Sequence, residues 1–312
     1  MIAKRSINPK QKKEMELLAR KIKQGFMSST TLSWVSRSAY DTAWVAMVPH
    51  PDHPGRPLFP QCLQWVIGSQ RRRRCGFWGQ TDVRGRPTLD CLIATLACMA
   101  ALKTWAAGDP HCIEEGLEFL RSTTGELLTA YCGFESVGIP RWFAVVFPGM
   151  LELAGSLGLD VFPGGFSRVM EGVFEQRRRI LADNKEHDGG FYYPPLEWFL
   201  EALPADHAGG VDCAEFLASH QNGDGSLFRS PSATAFAFMA TGDARCRAYL
   251  EAMVAEASVV GTAVVSHGVG VPAVYPVDEL LQNLVMVDVL EGLGLDEHFT
   301  KEIADAVHYI HR

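Results

Sequence analysis

The 312-residue sequence contains no Asp-Asp dipeptide. A magnesium centre needs clustered oxygen ligands, and no adjacent pair of aspartates offers the start of one. The eight cysteines include no Cys-x-x-Cys pair, which removes the usual zinc and thiol-redox spacings. No apolar run approaches the roughly 18 residues needed to cross a bilayer, so no membrane span is expected. Positive charge is not in excess either. The net charge is -7, which argues against a chain whose main task is coating nucleic acid. Alternating apolar and polar stretches are scarce, and little β-structure is expected.

What is present is a balanced globular composition, 47% hydrophobic and 21% charged, long enough for one large or two ordinary domains. Residues 1–25 carry Lys and Arg with no apolar core, so they do not read as a secretory signal. Glu14 and Glu16 also spoil a transit peptide. Met15, Leu18, Ile22 and Phe26 make a stripe at helical spacing, so residues 9–26 are expected to form an amphipathic helix of the fold. Cys91 and Cys98 lie seven apart within LDCLIATLACMAALKTW (89–105). That segment is apolar nearly all round, as in a helix buried on most sides, and its cysteines read as small buried hydrophobes. The cysteine pattern fits a reducing compartment without a disulfide framework.

Further helices are expected at 148–159, at 278–293, and where Phe166, Val169, Met170, Val173, Phe174, Arg177 and Leu181 recur at helical spacing. Gly/Pro-rich stretches at 49–60, 203–211 and 259–276 read as connections. The class predicted is all-α.

The chain also repeats itself. CLQWVIGSQ (62–70) matches CAEFLASHQ (213–221) in its Cys, aromatic, aliphatic and Gln positions. After each Gln comes a turn ending in a bulky apolar residue, Trp78 or Leu227. An Ala/Thr-rich helix follows, and then Asp-x-x-Cys at Asp109–Cys112 or Asp243–Cys246. Such ordered similarity implies a duplicated unit of helical hairpins. Arg71 to Arg74 occupy the variable part of the first turn, whose twin reads NGDG, so they read as solvated decoration of a turn.

The turn Gln-x(5)-Gly-Phe-Trp resembles the QW turn of squalene-hopene and terpene cyclases. Longer motifs are more specific. SAYDTAWVAMV (38–48), FPQCLQWVIGSQ (59–70), TLACMAALKTW (95–105), GFESVGIPRWFAVVFPGMLELA (133–154), DGSLFRSPSATAFAFMATGD (224–243) and VPAVYPVDELL (271–281) occur in one order. Together they resemble the N-terminal half of plant-type diterpene synthases, the family of copalyl diphosphate synthase and kaurene synthase. The resemblance implies double-layered helical barrels, with residues 1–37 as a first β-domain segment, 38–288 as an inserted γ domain and 289–312 as a truncated return to β.

It also implies a chemistry. Family members protonate an alkene of geranylgeranyl diphosphate with an Asp-x-Asp-Asp acid, or ionise a prenyl diphosphate with magnesium held by Asp-Asp-x-x-Asp. Both motifs are absent here, so the chain is expected to be an incomplete, inactive portion of such an enzyme. Copalyl-type enzymes of hormone metabolism carry a catalytic His and Asn where this sequence has Trp198 and Ala273. Their acidic stretch before GFE is represented by Glu126 alone. EQRRRILA (175–182) and SPSATA (230–235) add to a lean toward the kaurene-synthase-like, class I lyase side and gibberellin-related metabolism. The resemblance implies magnesium for the complete enzyme, geranylgeranyl or copalyl diphosphate as substrate, and a plastid setting. A cytoplasmic one follows if the chain is complete as given.

Other residues have bland readings. Asp41 is read as a buried, hydrogen-bonded structural acid, Asp278-Glu279 as a helix start, and Asp224 as a turn acid. His111-Cys112 and His187-Asp188 lack a second pair of metal ligands. Trp198 either lines a terpene cavity or is a core aromatic. The run Arg177 to Arg179 is read as one helix's solvated edge. Two alternatives stand beside the enzyme: a non-catalytic barrel remnant that binds a prenyl chain or a protein partner, and a protein prenyltransferase β subunit, which requires an Asp/Cys/His zinc site.

Overall fold

The computed structural model describes residues 17–18, 37–71, 76–132, 139–183, 187–188, 191–192, 196–204, 213–260, 268–272, 287–288, 290–292 and 294–310. The chain divides into two compact units, Arg37–Pro272 and a second formed by Met1–Ser36 with Ala273–Arg312.

In the larger unit, Ser38 opens helix α1 (Ala39–Met47) by accepting the Asp41 N–H on its hydroxyl. Every residue of α1 is buried, including the polar Asp41 and Thr42. A short ribbon, β1 (Pro49–His50) with β2 (His53–Pro57), leads to α2 (Pro60–Gly68). The chain continues through α3 (Leu89–Thr104), α4 (Pro110–Cys132), α5 (Arg141–Ser156) and α6 (Arg168–Asp183). A second ribbon, β3 (His187–Asp188) with β4 (Phe191–Tyr192), precedes a 3-10 helix, Leu196–Ala202. Then follow α7 (Cys213–His220), α8 (Pro231–Thr241) and α9 (Ala244–Val260).

These elements form two layers. α1 packs on α3, α3 on α5, α5 on the 3-10 helix, the 3-10 helix on α8, and α8 back on α1, so the inner ring closes. Outside it, α2 covers α1 and α3, α4 covers α3, α6 covers α4 and α5, and α7 and α9 cover α8. The fold is therefore all-α, a double-layered α/α-barrel. The layers differ in sequence for a physical reason. Inner helices meet protein on every side, so α3 is buried from Leu89 to Leu102 except at Asp90. Outer helices meet water on one side, so α6 alternates buried Met170, Val173 and Arg177 with exposed charge.

The two sequence repeats share their hydrogen bonds. The Trp78 N–H donates to Thr95 Oγ1 on α3 at 3.1 Å, and the Leu227 N–H donates to Thr234 Oγ1 on α8 at 2.9 Å. The Gln70 amide donates to the Cys112 carbonyl, and the Gln221 amide to Asp243 Oδ1, so each Gln reaches the start of the following outer helix. The Trp78 indole is fully buried, and its N–H donates to the Val66 carbonyl. Cys91 and Cys98 are buried in α3, with Sγ atoms donating to the carbonyls of Gln80 and Ala39.

Three details depart from the sequence expectations. α5 begins at Arg141 rather than 148 and carries Pro148 inside it. The apolar face of Phe143, Phe147 and Met150, with the Phe143 and Phe147 rings stacked at 4.9 Å, outweighs the missing N–H. The 49–60 connection holds the first ribbon, an antiparallel pairing built around the turn at Pro51-Asp52. Arg177 is buried rather than solvated. Its guanidinium spans Glu152 of α5 and the Ala202 carbonyl, while Arg178 and Arg179 pair with Glu175 at the surface.

In the smaller unit, Leu17 and Leu18 are helical and exposed; the rest of the expected 9–26 helix lies outside the described residues. Residues 287–288 and 290–292 are helical, and a 3-10 turn, Asp296–His298, leads into α10 (Thr300–Ile310). Leu290 and Phe299 are buried.

Two helical glycines give a paired prediction. A Cβ on Gly149 meets the Ala202 carbonyl oxygen, whereas one on Gly172 meets nothing within 4 Å. Gly149→Ala is expected to destabilise by about 1–3 kcal/mol. Gly172→Ala is expected to stabilise by roughly 0.5–1 kcal/mol. Urea denaturation of both variants checks this, and equal effects would refute the close contact.

Candidate functional site

The most unusual chemistry in the barrel wall starts from the segment SAYDTAW. α1 is tied at its first turn to the chain's return at Gly268–Pro272. The Ser38 N–H donates to the Val271 carbonyl, and Thr42 Oγ1 accepts the Val271 N–H. Arg37 donates to the Gly270 and Ala257 carbonyls. This fixes the rotation of α1 and directs Tyr40 and Asp41 into the wall.

Tyr40 OH donates to Glu201 Oε1 of the 3-10 helix at 2.8 Å. Asp41 Oδ1 accepts the Ser232 N–H from the first turn of α8 at 3.3 Å. The Ser232 hydroxyl lies beside both carboxyls. Glu201 is 8% exposed and Asp41 7%, and Glu201 Oε2 is buried with no hydrogen-bond partner. Burial is the main reason that both acids resist ionisation. It pushes Asp41 from an ordinary 3.8 up to about 6. Glu201 rises to about 7, with the charge of Asp41 adding to the effect. Tyr40 is held well above the usual tyrosine range by burial and by Glu201.

The backbone nearby is strained. Phe228 and Arg229 have φ of 50° and 56°, left-handed values that bulky residues rarely adopt. Ser230 then caps α8 by accepting the Ala233 N–H. The Phe228 ring lies 5.9 Å from Trp198 and near Phe216 and His220, so strain at the entry to α8 sits beside an aromatic group.

The candidates from the sequence fall in different places. Trp198 is half-buried on the 3-10 helix. Ala273, Asp278 and Glu279 lie outside the described residues, as do Arg72 to Arg74 and the side chains of His187 and Asp188. Asp41 is the buried, hydrogen-bonded acid expected. Asp224 is an exposed turn acid that accepts from the Ser226 N–H and hydroxyl. His111 is exposed and pairs with Glu114 and Glu115, while Cys112 is buried. Glu126 is exposed on α4, and Arg71 bridges its turn by pairing with Phe77. The sequence reading missed Glu201. Its one signal was an acid inside the otherwise apolar stretch FLEAL.

Among the described residues, no three His, Cys, Asp or Glu side chains gather to hold a metal ion, and no helix is long and apolar enough to cross a membrane. The residues of the acid pair therefore do not fit a magnesium or zinc centre. Two carboxyls, one of them already bonded to a tyrosine and the other to a backbone amide, leave too few ligands.

No protein-family profile matches the chain. Individual proteins do. Over 303 residues, 93% of its length, the chain is 41% identical to S-linalool synthase of Clarkia breweri. The chain is a homologue of the plant terpene synthases. This terpene synthase homologue is also 36% identical to copalyl diphosphate synthase 2 of Selaginella moellendorffii over 278 residues, 89% of its length. Its fold matches a crystal structure of ent-copalyl diphosphate synthase from Arabidopsis thaliana in complex with (S)-15-aza-14,15-dihydrogeranylgeranyl thiolodiphosphate. The TM-score is 0.69, with 31% identity, over 96% of this chain and 39% of that one. Abietadiene synthase of Abies grandis matches with the same TM-score, over 36% of its own chain. The homologue spans about a third of the length of the curated relatives, 33% of the linalool synthase and 34% of the copalyl diphosphate synthase.

The acid pair yields a pH prediction. Above the ordinary carboxyl range the unfolded chain loses both protons while the folded chain keeps them, so the folded state binds more protons and stability falls as pH rises. The loss builds from about pH 4 to about 7 and then levels off, at a few kcal/mol in total. Glu201→Gln removes part of it. Denaturant midpoints compared at about pH 5 and about pH 8 check this. Equal midpoints for the unmodified chain would refute it.

Proposed function

We propose that the chain is the barrel-forming portion of a terpene synthase that acts on a prenyl diphosphate, and that it does not turn that substrate over by itself. One observation carries the proposal: the homology runs along 93% of this chain yet takes in 33% of the linalool synthase. The reactive acids of the family have no counterpart here, since the sequence holds no Asp-Asp pair. The carboxyls the fold does gather, Asp41 and Glu201, are committed to cross-linking helices.

The finer reading is a class I, kaurene-synthase-like enzyme of diterpenoid metabolism using geranylgeranyl or copalyl diphosphate. In support, Trp198 stands where copalyl-type relatives carry a catalytic base, and an indole N–H cannot accept a proton. It packs against Phe228 instead. Residues 38–288 are read as the family's γ domain, flanked by β-domain segments 1–37 and 289–312. Magnesium dependence and a plastid setting for the complete enzyme belong to the same proposal and rest on family resemblance.

The test is direct. The 312-residue chain is incubated with geranylgeranyl or copalyl diphosphate and magnesium, and the organic extract is analysed by gas chromatography and mass spectrometry. No cyclised or dephosphorylated diterpene above a protein-free control is expected. Product that disappears when the protein is boiled would overturn the proposal.

A further inference from the structure

The inner ring holds one donor and one acceptor that no other described residue satisfies. Trp44 lies on the second turn of α1 and is 4% exposed, and its indole N–H is buried with no hydrogen-bond partner among the described residues. Glu201 lies on the 3-10 helix, and its Oε2 is equally buried and equally without a partner. A buried polar atom left unpaired costs more than most single contacts contribute. Two of them in one part of the wall, of opposite hydrogen-bonding sense, point to a bond that protein atoms do not make.

Both atoms lie at Tyr40. Its hydroxyl donates to Glu201 Oε1 at 2.8 Å, which keeps Oε2 of the same carboxyl close to the phenol. Trp44 follows Tyr40 by one helical turn, with the two rings edge to face and their centroids 6.5 Å apart. The indole N–H lies beside the Tyr40 hydroxyl without bonding it. The Ser232 hydroxyl of α8 lies beside the Glu201 carboxyl. Phe236, edge-on to Trp44 at 6.2 Å, supplies an apolar side.

This set of groups decides what fits. A cation finds no lone pair on an indole N–H, and an anion meets the carboxyls of Glu201 and Asp41. A hydroxyl suits both atoms. It accepts the indole proton on one lone pair and donates its own proton to Oε2. Where Oε2 itself carries a proton, the same oxygen accepts it on its second lone pair, so the fit holds in either state of the acid. Enclosure sets the size. Neither atom reaches solvent, so the guest is a single oxygen rather than the end of a longer molecule. Polar recesses of this kind hold water on about three hydrogen bonds, whereas apolar ones stay dry.

We propose that Trp44 Nε1 and Glu201 Oε2 form the site of one buried water, which ties α1 to the 3-10 helix beside the Tyr40–Glu201 bond. Trp44 is then a bridging residue as well as a core aromatic. This goes beyond the proposed function and holds whether or not the chain takes part in terpene synthesis.

A crystal structure of the 312-residue chain, at a resolution that shows ordered water, tests the site. A separate density peak within about 3.2 Å of both Trp44 Nε1 and Glu201 Oε2 is expected. Crystals of Trp44→Phe are expected to lose the peak. Those of Glu201→Gln are expected to keep it, since an amide can still accept or donate. A map in which the two atoms stay apart with no peak between them would overturn the proposal. So would a direct bond from the indole N–H to Glu201 or to the Tyr40 oxygen, which leaves a water no part in the tie. A peak that survives unchanged in Trp44→Phe would equally remove Trp44 as its anchor. The unmodified chain decides between a bridging water, an empty gap and a direct bond, whether or not either variant folds.

Discussion

An inner helix enclosed by other helices has no water to satisfy the polar groups of the chain that leads into it. Here that constraint is met by threonine. Thr95 and Thr234 each accept the backbone N–H of the bulky residue that closes a turn, Trp78 or Leu227. The same hydroxyls bond back into their own surroundings, Thr234 to the Ser230 carbonyl and Thr95 at longer range to the Trp78 carbonyl. A buried N–H left without a partner costs about 1–3 kcal/mol, more than most single contacts contribute. The duplicated turns of the barrel are therefore built around two side-chain oxygens, and the Gln at the head of each turn carries the tie outward to the next helix.

The acid pair follows the opposite logic. Asp41 and Glu201 also satisfy neighbours, but as carboxyls buried in the wall they do so at the expense of their own ionisation. A serine or an amide at either place would form similar hydrogen bonds without a pH-dependent cost. Their burial makes the stability of the fold depend on pH, and they sit near a broken 3-10 helix and two left-handed residues.

Homology and geometry bear on function at different levels. Similarity to linalool and copalyl diphosphate synthases runs nearly the length of the chain and agrees with the matched fold. The chain nonetheless spans about a third of those relatives. Trp198 lies half-buried on the 3-10 helix and packs against Phe228.

Sequence pattern alone was enough for the helical class, the inner helix at 89–104 and the duplicated turns. Each depends on local periodicity or on a repeated run of residue types, which a linear string preserves. It could not name the partners of Arg177, because one place in a helical period does not say which neighbour supplies Glu152 and the Ala202 carbonyl. Nor could it start α5 at Arg141, since a proline reads as a boundary until packing shows the helix running through it. Glu201 was the largest omission. Its partner Tyr40 lies 161 residues away, and only closure of the ring brings the two within hydrogen-bonding distance. The chain's own order determined which segments are helices and which turns repeat. Tertiary structure decided which acids meet in the wall, because burial and mutual approach belong to the closed ring and to none of its segments alone.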